Sequence, residues 1–132
     1  MKAVEINQTG APEVINLKDI SLEKPNPDEV TIEQKAIGLN YIDTYHRSGL
    51  YPLKLPSGLG LEGSGIISEV GSNVTNFKAG DKVAYAAIPL GSYSTHRNFP
   101  AAKLVKIPDG VDFDVAATLM TKGLTTYYLL HQ

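Results

Sequence analysis

Gly58, Gly60 and Gly63 in the stretch "PSGLGLEGSGII" spell G-x-G-x-x-G. With that spacing a tight turn brings free backbone amides to a dinucleotide pyrophosphate. The chemistry needs a strand before the glycines and a helix starting after them, because the helix start supplies the amides. The flanks here have the opposite character. "YPLKLPS" precedes, with two prolines that oppose a central strand, and "SGIISEV" follows, β-branched and alternating as a strand is. These glycines are expected to permit backbone bends and close approach at a sheet corner, not to hold phosphate.

The other reactive types are sparse. There is no cysteine, which removes disulfides, iron–sulfur clusters, thiolate zinc sites and one class of nucleophile. His46, His96 and His131 lie far apart, none with a second ligand at metal spacing, and read as ordinary surface or loop residues. Asp81 reads as a turn residue. Lys122 is within a side chain's reach of a carboxylate or a substrate, although a solvated lysine is the commoner case.

The elements that must position such residues are mostly short strands. Lys2 to Asn7 and Val14 to Ile20 read as a pair around "TGAPE", and the two prolines of "KPNPDE" make Lys24 to Glu29 a loop. "VTIEQKAI" opens with Val30 and Ile32 on one face and Thr31 and Glu33 on the other, the pattern of a half-buried strand. In "NYIDTYHRSG", Asn40 can cap a short helix and Gly49 can end it in a left-handed conformation. Further strands are expected in "SGIISEVGS", after a tight turn at Gly80-Asp81 in "AGDKVAYAA", in "SYSTHRNFP" and in "KLVKIP". Residues 112–131 differ. Val115, Leu119, Leu124, Tyr127 and Tyr128 recur at helical spacing, with a break expected at Gly123. Leu129 and Leu130 have nothing to cover them before Gln132, so the chain reads as cut.

At 132 residues this is one ordinary domain. Twelve glycines and eight prolines favour many short strands over a helix bundle. The expected fold class is mainly β with short helices, a barrel or sandwich. A net charge of −2 without like-charge blocks argues against a nucleic-acid partner. No apolar run approaches the ~20 residues that span a bilayer, and the N-terminus lacks a signal-peptide core, so no membrane partner and a cytoplasmic location are expected.

The run "GLEGSGIISEVGSNVTNFKAGDKV" resembles the Gly-His-Glu-Gly-x-Gly…Val-Gly…Gly-Asp-x-Val pattern of medium-chain dehydrogenases/reductases. Gly60, Glu62, Gly63, Gly65, Val70, Gly71, Gly80, Asp81 and Val83 fall in place. Leu61 stands where the zinc-dependent branch has a histidine, and Asn40 where it has a cysteine. Neither replaces a zinc ligand, so no metal is expected. "KAIGLNYIDTYHRSGLYP" and "KGLTTYYLL" are similar to the zinc-free quinone oxidoreductase, or zeta-crystallin-like, group.

The resemblance implies a GroES-like, partly open β-barrel over residues 1–132, the N-terminal catalytic domain. Its last helix, 112–131, would lead toward an absent Rossmann domain. It implies hydride transfer from NADPH to a quinone or conjugated carbonyl acceptor, and a homodimer at full length. Asn40, Tyr41, Ile42, Asp43, Thr44 and Tyr45 would line the nicotinamide end, joined by Thr125 and Tyr128. Tyr45 would polarise the acceptor, with Tyr51 lining the substrate side. Plainer roles stand beside these: Asn40 as a helix cap, Tyr41 and Ile42 as core filler, Asp43 as a helix-dipole partner, Thr125 and Tyr128 as tail packing. By itself the 132-residue piece is expected neither to hold NADPH tightly nor to catalyse. An enoyl reductase acting on an activated C=C, and a non-catalytic GroES-like binding module, are the competing functions.

Overall fold

A computed structural model describes residues 1–131. Eight strands run in the order β1 (Lys2–Ile6), β2 (Asn16–Asp19), β3 (Glu29–Gly38), β4 (Ser57–Gly58), β5 (Glu62–Val70), β6 (Lys82–Ala86), β7 (His96–Pro100) and β8 (Val105–Lys106). A helix, α1 (Tyr41–Ser48), follows β3. The chain finishes with α2 (Phe113–Thr118), a π-helical turn at Leu119–Gly123 and α3 (Leu124–Leu130). The strands form two antiparallel sheets, β2-β1-β4 and β7-β3-β5-β6-β8. They are joined where β1 runs beside the segment before β7: Val4 N–H donates to the Tyr93 carbonyl at 2.7 Å and Thr95 N–H to the Lys2 carbonyl at 2.8 Å. The result is the expected mainly-β, partly open barrel.

The core lies inside the five-stranded sheet, where Val30, Ile32, Ile67, Phe77, Val83, Tyr85, Phe99, Ala101 and Leu104 form one cluster. Arg97 is buried against it, its guanidinium 4.5 Å from the Phe99 ring. It donates to the carbonyls of Pro89 and Leu90 and to Ser92 Oγ, tying down the loop before β7.

Several boundaries differ from the sequence reading. Residues 14–20 are not all strand: a 3-10 turn covers Pro12–Val14 before β2 begins at Asn16. "SYSTHRNFP" yields a strand only from His96, and "KLVKIP" only at Val105–Lys106. Thr31 is buried although its alternation pointed to solvent. A register shift between Thr31 and Ile32 turns the strand, and the Thr31 hydroxyl finds Asn98 at 2.7 Å. The tail departs most. Its periodic residues Val115, Leu119, Leu124, Tyr127 and Tyr128 are all exposed, and Ala116 and Ala117 are the ones buried. Small residues sit there because α2 crosses β3 at Gly38, whose Cβ, if present, would be 2.1 Å from the Ala117 carbonyl oxygen.

The glycine motif resolves as a corner. Gly58 ends the two-residue strand β4, and Glu62–Val70 is strand, not helix. Gly60 has φ +91° and lies flat against Tyr93, whose ring a Cβ would meet at 2.5 Å. The residues that follow continue as strand, so the motif lacks a helix start of its own.

Candidate active-site cleft

The register of β3 against β5 pairs Gly38 with Glu62. Asn40, two residues past Gly38, is thereby set beside Glu62 at the sheet's end. α2 is fixed across the same two strands by Gly38 and by the Ser64 hydroxyl, which donates to the Phe113 carbonyl at 2.6 Å. That docking delivers the π-helical turn to the same place. A cleft of about 870 Å³ opens between α1 and the turn, lined by Leu39, Asn40, Tyr41, Ile42, Thr44, Leu61, Thr121, Lys122, Thr125 and Thr126.

At its floor is a carboxylate with no exposure. Glu62 Oε1 accepts from Thr121 N–H at 2.8 Å, and Oε2 accepts from Asn40 Nδ2 at 2.8 Å. Lys122 Nζ donates to Asn40 Oδ1 at 2.9 Å and stands 3.6 Å from Glu62 Oε2. Two hydrogen-bond donors and the nearby ammonium offset the buried charge, as burial of a carboxylate requires. Asn40 occupies the N-cap position with extended backbone, and Asp43 reaches back to its N–H at 3.0 Å. The Asn40 carboxamide itself is spent on Glu62 and Lys122. Gly49, with φ 86°, ends α1 as expected.

Other hydroxyls on the lining are used as donors within the chain. Thr44 and Thr125 donate their hydroxyl protons to the Tyr41 and Thr121 carbonyls, at 2.7 and 2.6 Å, which leaves their lone pairs free. Thr121 Oγ1 is buried with no partner among the described residues. Leu39, Ile42 and Leu61 supply apolar wall. The lining therefore combines apolar wall with free hydrogen-bond acceptors.

Of the residues expected at the site, Asn40, Tyr41, Ile42, Thr44 and Thr125 line the cleft. Asp43 lies beneath, buried, accepting from the Tyr93 hydroxyl at 2.7 Å. Burial, followed by that hydrogen bond and the Asp43 charge, raises the Tyr93 phenol well above its ordinary range. Tyr45 stands behind Tyr41, ring centroids 5.6 Å apart, and contacts Tyr51 at 5.4 Å; neither Tyr45 nor Tyr51 is on the cleft lining. Tyr128 is exposed on α3 away from it. Thr121 and Thr126 carry no local signal in the sequence. Glu62 carries one: a carboxylate set in the glycine- and serine-rich run "GLEGSGII". Among the described residues no three His, Cys, Asp or Glu side chains converge as a metal site, and no helix is long and apolar enough to cross a membrane.

The family model for the alcohol dehydrogenase GroES-like domain matches residues 26–109. This chain belongs to that family. Among its relatives, the quinone oxidoreductase of Pseudomonas aeruginosa is 54% identical over 132 residues, 99% of this chain and 41% of that protein. The 2-haloacrylate reductase of a Burkholderia species is 40% identical, over 98% of this chain and 41% of the other. The solved structure of Escherichia coli quinone oxidoreductase complexed with NADPH superimposes with a TM-score of 0.95 at 47% identity, covering 100% of this chain and 41% of that one. The GroES-like chain thus spans about two-fifths of the length of the relatives it matches.

Proposed function

We propose that residues 1–132 form a single GroES-like catalytic domain that supplies one wall of a zinc-independent, NADPH-dependent quinone reductase site (Gln132, its last residue, lies outside the described residues). The observation that carries this reading is the donor-hungry cleft. The unpartnered Thr121 hydroxyl and the free lone pairs of Thr44 and Thr125 complement a nicotinamide carboxamide and ribose hydroxyls, and Leu39, Ile42 and Leu61 complement the ring's faces. The residues present fit the nicotinamide end of the coenzyme. The likeness to a quinone oxidoreductase complexed with NADPH supports the choice of coenzyme.

NADPH, when bound, supplies a hydride. The domain orients and excludes water: Asn40, held by Glu62 and Lys122, fixes one end of the cleft, and the threonines fix the other. Tyr41, buttressed by the Tyr45 and Tyr51 rings, forms the acceptor's side wall. Leu61 and Asn40 stand where the zinc-dependent branch has ligands, so the acceptor is activated without a metal. The acceptor is a quinone or a conjugated carbonyl compound. The full-length protein is a cytoplasmic homodimer with neither nucleic acid nor membrane as partner.

One observation favours a second reading. The 40% identity to a 2-haloacrylate reductase points to reduction of an activated C=C by the same cleft. Adding 1,4-benzoquinone, 2-chloroacrylate or an enoyl thioester to full-length protein with NADPH, and following absorbance at the reduced-nicotinamide band, separates them. Quinone-dependent oxidation is the expected result. Turnover of the acrylate or thioester alone would support the second reading, and inertness toward all three would leave a non-catalytic binding module.

A further inference from the structure

Resting on the reading that this cleft takes NADPH and an electron-poor acceptor, we propose that Lys122 is a catalytic residue. Its ammonium donates a hydrogen bond, and then a proton, to the acceptor oxygen that gains charge during reduction. Glu62 and Asn40 are its positioning residues.

Lys122 is the one charged side chain among the ten that line the cleft. Its setting differs from that of the other paired lysines. Lys2, Lys18 and Lys35 meet carboxylates that retain contact with solvent, and Lys106 meets Asp81 at the surface. Among the described residues, Lys122 alone faces a carboxylate with no exposure, while its own side chain is half exposed toward the cleft. The pair is layered, with the anion below and the cation at the cleft surface.

The layering is built from both ends. Glu62 Oε1 holds the backbone N–H of Thr121, the residue next to the lysine, and Oε2 holds the Asn40 carboxamide through Nδ2. That choice turns Asn40 Oδ1 toward the lysine, which donates to it at 2.9 Å. Asn40 and Glu62 engage at most two of the three ammonium N–H bonds, and the third is free for a ligand. A solvated lysine spreads over many rotamers; here the carboxylate holds the backbone of the preceding residue and stands 3.6 Å from the lysine's own head. The buried anion also offsets the cost of keeping an ammonium in a site that bound ligand covers. No other lining group carries a positive charge to meet a developing oxyanion. The threonine protons at Thr44, Thr125 and Thr126 are committed to backbone carbonyls, and Tyr45 stands one ring back from the lining.

The step balances. The acceptor gains a hydride from NADPH, and one carbonyl oxygen takes up the electron pair of its C=O π bond. The O–H bond then forms as the Lys122 N–H bond breaks, and solvent returns a proton to the amine. Acceptor, NADPH and one proton give reduced acceptor and NADP⁺. A donor placed where charge develops contributes chiefly in the transition state, so its removal acts on kcat more than on coenzyme binding.

The test uses full-length protein and four variants, Lys122→Met, Lys122→Ala, Glu62→Gln and, as an exposed control, Lys24→Met. Two readouts are taken: binding of 4-nitrophenolate in the presence of NADP⁺, followed by its visible absorbance, and steady-state reduction of 1,4-benzoquinone. Thermal unfolding checks that each variant is folded. Lys122→Met is expected to weaken nitrophenolate binding at least ~10-fold and to lower kcat by ~10- to 100-fold, with the KM for NADPH within about threefold. Ethylamine is expected to restore at least about fivefold of the lost kcat to Lys122→Ala and nothing to the control. Glu62→Gln is expected to lower kcat while leaving the KM for NADPH near its original value. A folded Lys122→Met protein that binds nitrophenolate and turns over within twofold of the unmodified protein would overturn the proposal. An unmodified protein inert toward quinones would instead sink the functional reading, and the nitrophenolate arm would still decide whether the lysine holds an oxyanion.

Discussion

Replacing Gly38 with alanine puts a methyl group where the fold leaves no room. Its Cβ would lie 2.1 Å from the Ala117 carbonyl oxygen and 2.7 Å from Glu62 Oε2, both inside the 3.0 Å that real Cβ contacts respect. The nearer atom belongs to the backbone of α2, so relief requires the helix to retreat by close to an ångström. The retreat unseats Ala116 and Ala117 and stretches the 2.6 Å bond from Ser64 to the Phe113 carbonyl. Overpacking costs about 1–3 kcal/mol and a weakened buried hydrogen bond about 1 kcal/mol more, so the variant is expected to lose about 2–4 kcal/mol. Urea unfolding by far-ultraviolet circular dichroism reads this directly. With a slope of about 2 kcal/mol/M, the midpoint should fall by about 1–2 M. The same movement carries Thr121 and Lys122 away from Glu62, so NADPH affinity of the full-length variant should fall with it. A midpoint within about 0.2 M of the original would refute the seating of α2 on β3, and with it the account of how the cleft is assembled.

Thr121→Val removes a buried hydroxyl that has no partner among the described residues, so thermal stability should hold or rise slightly while the dissociation constant for NADPH rises by about tenfold; unchanged affinity by fluorescence titration would take Thr121 out of the site. The Tyr93 phenol is raised above its ordinary value of 10.0, so its contribution to stability is intact below pH ~10 and declines as the pH climbs from there toward the folded-state value. Tyr93→Phe should therefore lose stability less steeply than the unmodified protein between about pH 10 and 11.5; parallel urea midpoints across that window would contradict the assignment. Arg97→Met keeps an apolar stem but frees the Pro89 and Leu90 carbonyls, and should cost about 2–4 kcal/mol, read as a lowered thermal midpoint.

The parts of this molecule that a reader of the sequence can place are those fixed locally. Asn40 and Gly49 bound α1 because cap chemistry acts within one turn, and the proline-flanked glycines at 58–63 declare a corner because their neighbours cannot supply a helix start. The tail shows where local pattern stops. Its leucines and tyrosines recur at helical spacing, and that periodicity marks a face suited to burial without saying what covers it. The contact that seats α2 instead brings the Ala117 backbone against Gly38, with Ala116 also buried, residues with no periodic signature. The cleft divides in the same way. Asn40, Tyr41, Ile42 and Thr44 are contiguous and travel together on one short helix. Glu62 meets partners 22, 59 and 60 positions away, a relation set by strand register and helix docking. Tyr45 packs edge-on against Tyr41 and meets Tyr51, off the lining of this cleft, a relation their spacing in the sequence does not show.

The most direct measurement is the position of the nicotinamide in a crystal of the full-length protein with NADPH. The ring is expected between Ile42 and Leu61, its carboxamide against the hydroxyls of Thr121 and Thr125, and Lys122 Nζ facing the open side where an acceptor would lie. A ring bound outside the cleft, with Thr121 still unpartnered and Lys122 turned to solvent, would contradict it.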